Sequence, residues 1–410
     1  MELITGVIRN YDWGHHDAIA ELLGHAPPGE PEAEYWLGAH PSAPSVTEGG
    51  APLDQLIADD PAATLGPAVA DRFGRMPYLL KILAAAQPLS IQAHPSLDQA
   101  RVGFAREDAA GIDRAAPNRN YRDDNHKPEV ICALTPFEAK CGFRAVADTI
   151  VLLERLSGPR LDPLRDLLSA GSSRPDAEVL ADAVAWLLRL PTEQAKAMAD
   201  EVAATATAQL DALKNDSFDH TVAWTVKIAG SFPGDIGVVV GLLLNHVTLA
   251  PGEAIFLEAG NMHSYLEGVG VELMANSDNV LRGGLTPKHV DVDELLAVVD
   301  YRPSAAPIQV AAGPVHHFDI PVPEFGLTRL ASTDGPAGLD GAAFTPTGPE
   351  ILMVTAGSLT IEGDGDPLKV VAGQVALVTP SDGQYRLRDG APGDTVAWRA
   401  TIGQLDGAPA

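Results

Sequence analysis

Thiols are scarce in this chain of 410 residues: only Cys132 and Cys141 occur. One pair cannot build a disulfide framework, and a separation of nine residues is not that of a zinc knuckle. Both are expected to stay reduced and to pack as small apolar side chains. The opening stretch, MELITGVIRNYDWG, lacks the basic and apolar regions of a secretory signal, which predicts a cytoplasmic protein. Long hydrophobic runs are missing too. The longest, around IGVVVGLLLNHVTL, is too short to span a bilayer and contains Asn245 and His246, so it reads as buried strands and no membrane anchor is expected. Cations are the third scarcity. Lys and Arg number 28 against 55 Asp and Glu, a net charge of −27 that repels polyanions and argues against nucleic acid as a partner. A small anion is not excluded, but binding one requires the few cations to gather in one place. Nothing in the sequence indicates an obligate protein partner.

What is present is ordinary globular composition, 46% hydrophobic and 20% charged, in a chain long enough for two or three cores. In the first third, AEYWLGAHPSAPS, PYLLKIL and PEVICALTPFEAKCGFR are short apolar runs broken by Gly, Pro and Asn, a strand texture. From about Ala145 the spacing changes to threes and fours (DTIVLLERL, EVLADAVAWLLRL, EQAKAMADEVAATATAQLDAL), which predicts amphipathic helices ending near Asn215. Strand texture then returns, interrupted by VDVDELLAVV, a short helix with Asp291 or Asp293 at its start. The expected layout is mainly β with a helical insert. A β domain takes residues 1–145 and 231–301, the insert 146–230, and a second β domain 315–410, after a linker from Arg302 to Pro314. An internal echo supports a repeated β unit: PGEAIFLEAGNMHSYL from Pro251 aligns without gaps to AGQVALVTPSDGQYRL from Ala372, with His263 facing Gln384.

The polar residues concentrate in three segments. In LSIQAHPS, strand alternation puts Ser90, Gln92 and His94 on one face and Leu89, Ile91 and Ala93, a set suited to a core, on the other. In NHKPEV, Lys127 and Glu129 precede the apolar VICAL; a polar turn before a strand is the plain interpretation, a carboxylate ligand with a nearby cation the sharper one. In EAGNMHSYLEGVGVELMANSDNVLRGGLTPK, a tight turn projects His263, Glu272, Asn276 and Asp278 follow, and Arg282 and Lys288 flank a glycine pair that permits close approach of a ligand. Taken together, Gln92, His94, Glu129 and His263 form a set of N and O donors without thiolate. That mixture suits a borderline divalent cation, zinc first, with room for water or substrate.

YRDDNHKPEV and HSYLEGVGVELMANSDNVLRGGLTPK resemble the two signature segments of the class I, zinc-dependent mannose-6-phosphate isomerases. YDWG, EYWLGAHPSAPS, PYLLKIL, IQAHPS, FEAKCGFR and FPGDIG resemble further family landmarks in the expected order, from Tyr11 to about Tyr301. The resemblance implies two cupin-like jelly-roll barrels plus an α-helical domain, and one zinc ion per chain on Gln92, His94, Glu129 and His263. It places the family's catalytic arginine on Arg282, the phosphate-holding residues on Ser90 and Lys288, and the pocket lining on Lys81, Lys127, Tyr265, Glu272 and Asp278. Ser264 stands where many members have Ala, and Gly283 replaces another small residue. The tail after Gly313 carries no matching motif.

The implied reaction is reversible isomerisation of mannose 6-phosphate to fructose 6-phosphate through an enediol(ate), supplying mannose 6-phosphate for activated mannose and glycan synthesis. Glu272 is the first choice for the proton-transferring base and Lys127 the next. Lys81, Lys127, Lys140, Arg144, Arg282 and Lys288 all lie in or beside the matched motifs, as a sugar-phosphate pocket in an acidic chain requires. Another metal-dependent cupin acting on sugar phosphates, or a non-catalytic sugar-binding cupin, are the competing readings.

Overall fold

The computed structural model describes residues 1–171, 173–304, 307–332 and 338–405. The strand Tyr78–Ala85 is buried along its whole length, and Lys81 is its single charged residue. It pairs antiparallel with Glu34–Gly38 on one side and with the long strand His263–Ala275 on the other, at the centre of an 11-stranded sheet. Alternation gives this sheet two apolar faces. Leu80, Ile82, Val130, Cys132 and Leu273 pack outward against Leu327, Ile351, Met353 and Trp398 of a seven-stranded sheet. Leu83, Ile131, Phe137, Cys141 and Tyr265 fill the inside.

His263–Ala275 serves two walls of the barrel. Its first residues pair with Gln92 and with Phe137–Phe143, and its later ones with Tyr78–Ala85 and Glu129–Ala133. A register shift between Tyr265 and Glu267, followed by Gly268 at φ +131, bends the strand from one wall into the other. A second barrel follows, made of the seven-stranded sheet and a four-stranded one around Leu352, Leu359, Ile361, Val370 and Tyr385. The internal echo has a structural counterpart. Gly252 (φ +88) and Gly373 (φ +84) turn the chain into the strands Glu253–Leu257 and Val375–Val378, and His263 and Gln384 stand at the start of the strand that follows each. The barrels interlock by sequence: Glu2–Thr5 pairs with Val375–Val378 in the second barrel's sheet, and Gln309–Val310 pairs with Glu253–Leu257 in the first.

The insert comprises Val146–Leu156, Asp162–Ala170, Asp176–Leu188, Thr192–Gln209 and Asp219–Ser231. Its core, Leu152, Leu164, Leu180, Val202 and Ile228, is continuous with Ile91, Ala93, Leu281 and Leu285 of the barrel. The short helix Val292–Val298 forms as expected, with the Asp291 side chain accepting from the Glu294 amide. No helix among the described residues is long and apolar enough to cross a membrane.

Four expectations need correction. Helix continues past Asn215 through Asp219–Ser231. The run IGVVVGLLL is not strand: Gly237–Val240 is helical and Gly241–Leu243 a 3-10 turn before the strand Leu244–Leu249. A buried β-branched run reads the same in either state, and here burial on all sides satisfied a helix. The first third also holds the helices Leu53–Asp59, Pro61–Leu65, Pro67–Phe73 and Leu97–Ala109. Finally, LSIQAHPS is strand only over Ile91–Ala93. Ile91 and Ala93 face the helical insert, while Leu89 packs inside the barrel with Tyr265.

Candidate metal centre

The barrel interior brings the three polar segments together. Glu129 opens the strand Glu129–Ala133 just after Pro128, and it lies opposite Met274 on the neighbouring strand. Gln92 is flanked across the ladder by His263 on one side and Arg282 on the other, so one rung carries three of the expected side chains. His94 Nε2 lies 3.5 Å from Glu129 Oε1, His263 Nε2 3.4 Å from Glu129 Oε2, and the Gln92 amide 3.3 Å from His263 Nε2. A tetrahedral ion with bonds of about 2.0–2.2 Å sets its donors about 3.4 Å apart, so these spacings fit zinc. Turning the Gln92 amide over presents its oxygen to the same point.

The donors are held from behind. His94 Nδ1 donates to the Asn279 carbonyl at 2.8 Å and His263 Nδ1 to the Asn261 carbonyl at 3.0 Å, which leaves both Nε2 atoms facing inward with a lone pair free to bind an ion. Asn279 also ties the two signature segments together. Its side chain accepts from the Arg122 amide at 2.7 Å and donates to the Asp123 and Asn125 carbonyls. His94 Nε2 and Glu129 Oε2 are buried without a hydrogen-bond partner, the mark of atoms awaiting an ion. Burial pushes the His94 imidazole down to about 4, helped by Lys127, so it stands neutral. Burial alone would raise Glu129, but Lys127, at 2.7 Å, and the two histidines hold it well below the usual carboxylate range.

Beside the donors lies a second charged group. Lys81 Nζ is 2.8 Å from Glu272 Oε2 and 3.4 Å from Glu34 Oε1, and the Trp36 indole donates to Glu34 at 2.9 Å. Burial works against the Lys81 ammonium, yet Glu272, Glu34 and Glu129 hold it above its ordinary value, so it remains charged. Burial outweighs Lys81 at Glu272 and raises that carboxyl. The Tyr265 hydroxyl is buried, unpartnered and raised by burial, with Glu129 and Glu272 as its charged neighbours. Asp278 is 48% exposed and pairs with His40 Nε2 at 3.5 Å.

Arg282 is partly buried, and Lys288 is exposed. Burial lowers both, and Arg122 lowers both further, so the three cations share one field. Arg122 was not singled out in the sequence, where it lies inside the motif YRDDNHKPEV beside two aspartates. Ser90 is partly exposed just ahead of Gln92. Lys140 and Arg144 do not join this field. Lys140 faces the opposite side of its strand, across from His246, and Arg144 donates to the Leu244 carbonyl and Thr221. The glycine pair serves packing and not ligand approach: a Cβ on Gly284 would meet the Gly237 Cα at 2.7 Å, and one on Gly283 the Leu295 side chain at 3.1 Å.

Residues 1–146 match the family model of the type I phosphomannose isomerase catalytic domain. A mannose-6-phosphate isomerase of Escherichia coli K12 is 38% identical over 395 residues, 93% of this chain and 95% of that protein. One from Salmonella typhimurium is 40% identical over 92% of this chain and 94% of its own length. The chain belongs to the mannose-6-phosphate isomerase family. Agreement extends to the whole fold. A solved zinc-bound mannose 6-phosphate isomerase superposes with a TM-score of 0.85 at 35% identity, covering 98% of this chain and 99% of that one. The mainly β architecture with its cupin-like barrels and helical insert is thus the family's, and His94, Glu129 and His263 are a buried group able to hold a metal ion. The Ser264 hydroxyl donates to the Leu89 carbonyl at 2.7 Å and anchors the segment that leads to Gln92.

Proposed function

We propose that this chain interconverts mannose 6-phosphate and fructose 6-phosphate at the pocket formed by Gln92, His94, Glu129 and His263, with one zinc ion per chain. The observation that carries this is the conjunction of four donors at zinc spacing with a buried Lys81–Glu272 pair on the same barrel face. Zinc bound there supplies Lewis acidity and a fixed point for sugar oxygens.

The remaining parts fall to the protein's own groups. Glu272, its carboxyl raised by burial toward the working pH, moves the proton between C1 and C2, and Lys81 keeps it oriented. Lys127, close to both carboxylates, is the next group able to relay a proton. Arg282, directly opposite Gln92 on the same rung, stabilises the charge that develops on the carbonyl oxygen as the enediolate forms. Ser90 and Lys288 hold the phosphate, Tyr265 and Asp278 close the pocket around the sugar, and Arg122 adds a third cation near the anion. In a chain of net charge −27 this local positive field is what admits a sugar phosphate. Run toward mannose 6-phosphate, the reaction supplies activated mannose and glycan synthesis. The test is a coupled assay for fructose 6-phosphate from mannose 6-phosphate, with and without a chelator. Turnover that disappears with the chelator and returns with zinc is expected; no turnover in the zinc-loaded protein overturns the reading.

A further inference from the structure

On the outer face of the barrel, Glu138, His220 and His246 bring donor atoms within 4.8 Å of one another. Three elements contribute. Glu138 lies on the strand Phe137–Phe143, whose alternate residues Ala139 and Cys141 face the interior; His246 lies on Leu244–Leu249; His220 is in the first turn of the helix Asp219–Ser231. His246 Nε2 is 2.5 Å from Glu138 Oε2, and His220 Nδ1 is 3.8 Å from Glu138 Oε1. The carboxylate is oriented by Thr248, whose hydroxyl donates to it at 2.9 Å. His246 is oriented by Trp224, one helical turn beyond His220, which stacks on the imidazole with 26° between planes.

The His246 and Glu138 side chains are 6% and 16% exposed, whereas His220 is 64% exposed. Two fixed donors and one free to swing in therefore stand at the edge of a cavity of about 500 Å³ lined by His220, His246, Asn245 and Thr248. Buried imidazole Nδ1 of His246 has no hydrogen-bond partner, so the ring is not tied into a closed network.

We propose that Glu138, His220 and His246 form a second divalent-cation site that clips the helical insert to the barrel. Two imidazoles and a carboxylate select an ion of the zinc, nickel and copper class over magnesium or calcium, and the open cavity leaves a position for water. Donors on one tetrahedral ion stand about 3.4 Å apart, so binding draws Glu138 back from His246 by about an ångström and brings His220 inward. Lys140, opposite His246 in the ladder, opposes an incoming charge, and Asp148 beside the cavity offsets Arg144. The outer site therefore fills after the inner one as zinc rises.

The test is a zinc titration of the full chain, stripped with chelator and dialysed at rising free zinc, with bound metal read by plasma mass spectrometry. Two zinc ions per chain are expected at saturation, the second bound without change in isomerase rate. Removing even an outer partner of a metal costs about 10–100-fold in affinity, so His220→Ala should weaken the second zinc by at least about tenfold while the first remains. His246→Gln gives an independent reading, and His94→Gln should remove the first ion and keep the second. Saturation at one zinc in the unaltered protein, or a second zinc that binds both outer variants with unchanged affinity, overturns the proposal. The stoichiometry is read whether or not the chain turns over sugar, so its failure is distinct from failure of the isomerase reading.

Discussion

Replacing Lys81 by Met keeps the length of the side chain and removes the ammonium that Glu272 and Glu34 share. Both carboxylates are buried, and the ammonium sits 2.8 Å from one and 3.4 Å from the other. At an effective dielectric of about 20, an opposite charge at that distance is worth roughly 4–6 kcal/mol of attraction. Shifts observed for such pairs, after desolvation is counted, are about 1–3 pKa units. Without Lys81 the Glu272 carboxyl, already raised by burial, rises further. A carboxylate base works in its deprotonated form, so the acidic limb of the kcat profile should move to higher pH by about 1–3 units. Zinc content should not change, because Lys81 donates nothing to the four ligands. Breaking one side of a buried pair costs about 3–5 kcal/mol. The sign of its pH dependence follows: a carboxyl raised in the fold destabilises above its pKa, so the difference in Tm between variant and parent should be greatest near neutrality and shrink as the pH falls and Glu272 protonates. Lys81→Arg should hold both limb and Tm near the parent's. The assay is kcat against pH with metal analysis and thermal melts across the same range. An acidic limb that stays in place while kcat merely scales down would refute Glu272 as the base.

Arg282→Ala should lower kcat by about 10²–10³ with zinc content intact, as expected for loss of one group that stabilises developing charge; loss of metal would instead show a structural role. Lys288→Ala and Arg122→Ala should each chiefly raise KM for the phosphorylated sugar, and increasingly so at low salt, since both cations are exposed; an unchanged KM removes the residue from the phosphate field. Stripping zinc should lower Tm in a manner that depends on zinc concentration, by about 2.7 kcal/mol of stability relative to protein held at 100 times the dissociation constant, measured by calorimetry at fixed free zinc. Ser264→Ala should cost about 1 kcal/mol through the lost bond to the Leu89 carbonyl and leave KM nearly unchanged, read from denaturant melts and kinetics.

The interior of the first barrel was legible because strand alternation is local: Gln92, Lys81 and Glu272 interrupt apolar runs, and such interruptions on a buried face announce themselves. The helices between Leu53 and Phe73 were not, since each is shorter than two full turns and periodicity has no length in which to appear. Their punctuation was nevertheless there, in Asp60-Pro61, Gly66-Pro67 and Gly74. Likewise Ser96 and Gln99 form a capping box that marks the start of Leu97–Ala109. Lys140 and Arg144 were counted with the pocket because proximity in sequence to a motif does not say which face of a strand a side chain takes; Lys140, one position from the inward-facing Cys141, takes the other. Asn279 shows the opposite limit. Its role is set by backbone carbonyls and amides from a segment more than 150 positions away, and no spacing rule reaches that far.

The pairing of Glu2–Thr5 with Val375–Val378 has a consequence for the order of events in synthesis. One edge of Glu2–Thr5 can pair early with Val46–Thr47, but its other edge stays open until Val375–Val378 has been made, through translation of most of the chain between them. Such a contact closes a loop of most of the chain, carries a large loop-closure penalty and belongs to a late step of folding. The first barrel, whose central strands Tyr78–Ala85, Glu129–Ala133 and His263–Ala275 all precede the second barrel in the chain, has its proposed metal ligands available well before that closure. Zinc offered during synthesis therefore meets a nearly finished pocket while the seam between the barrels is still open.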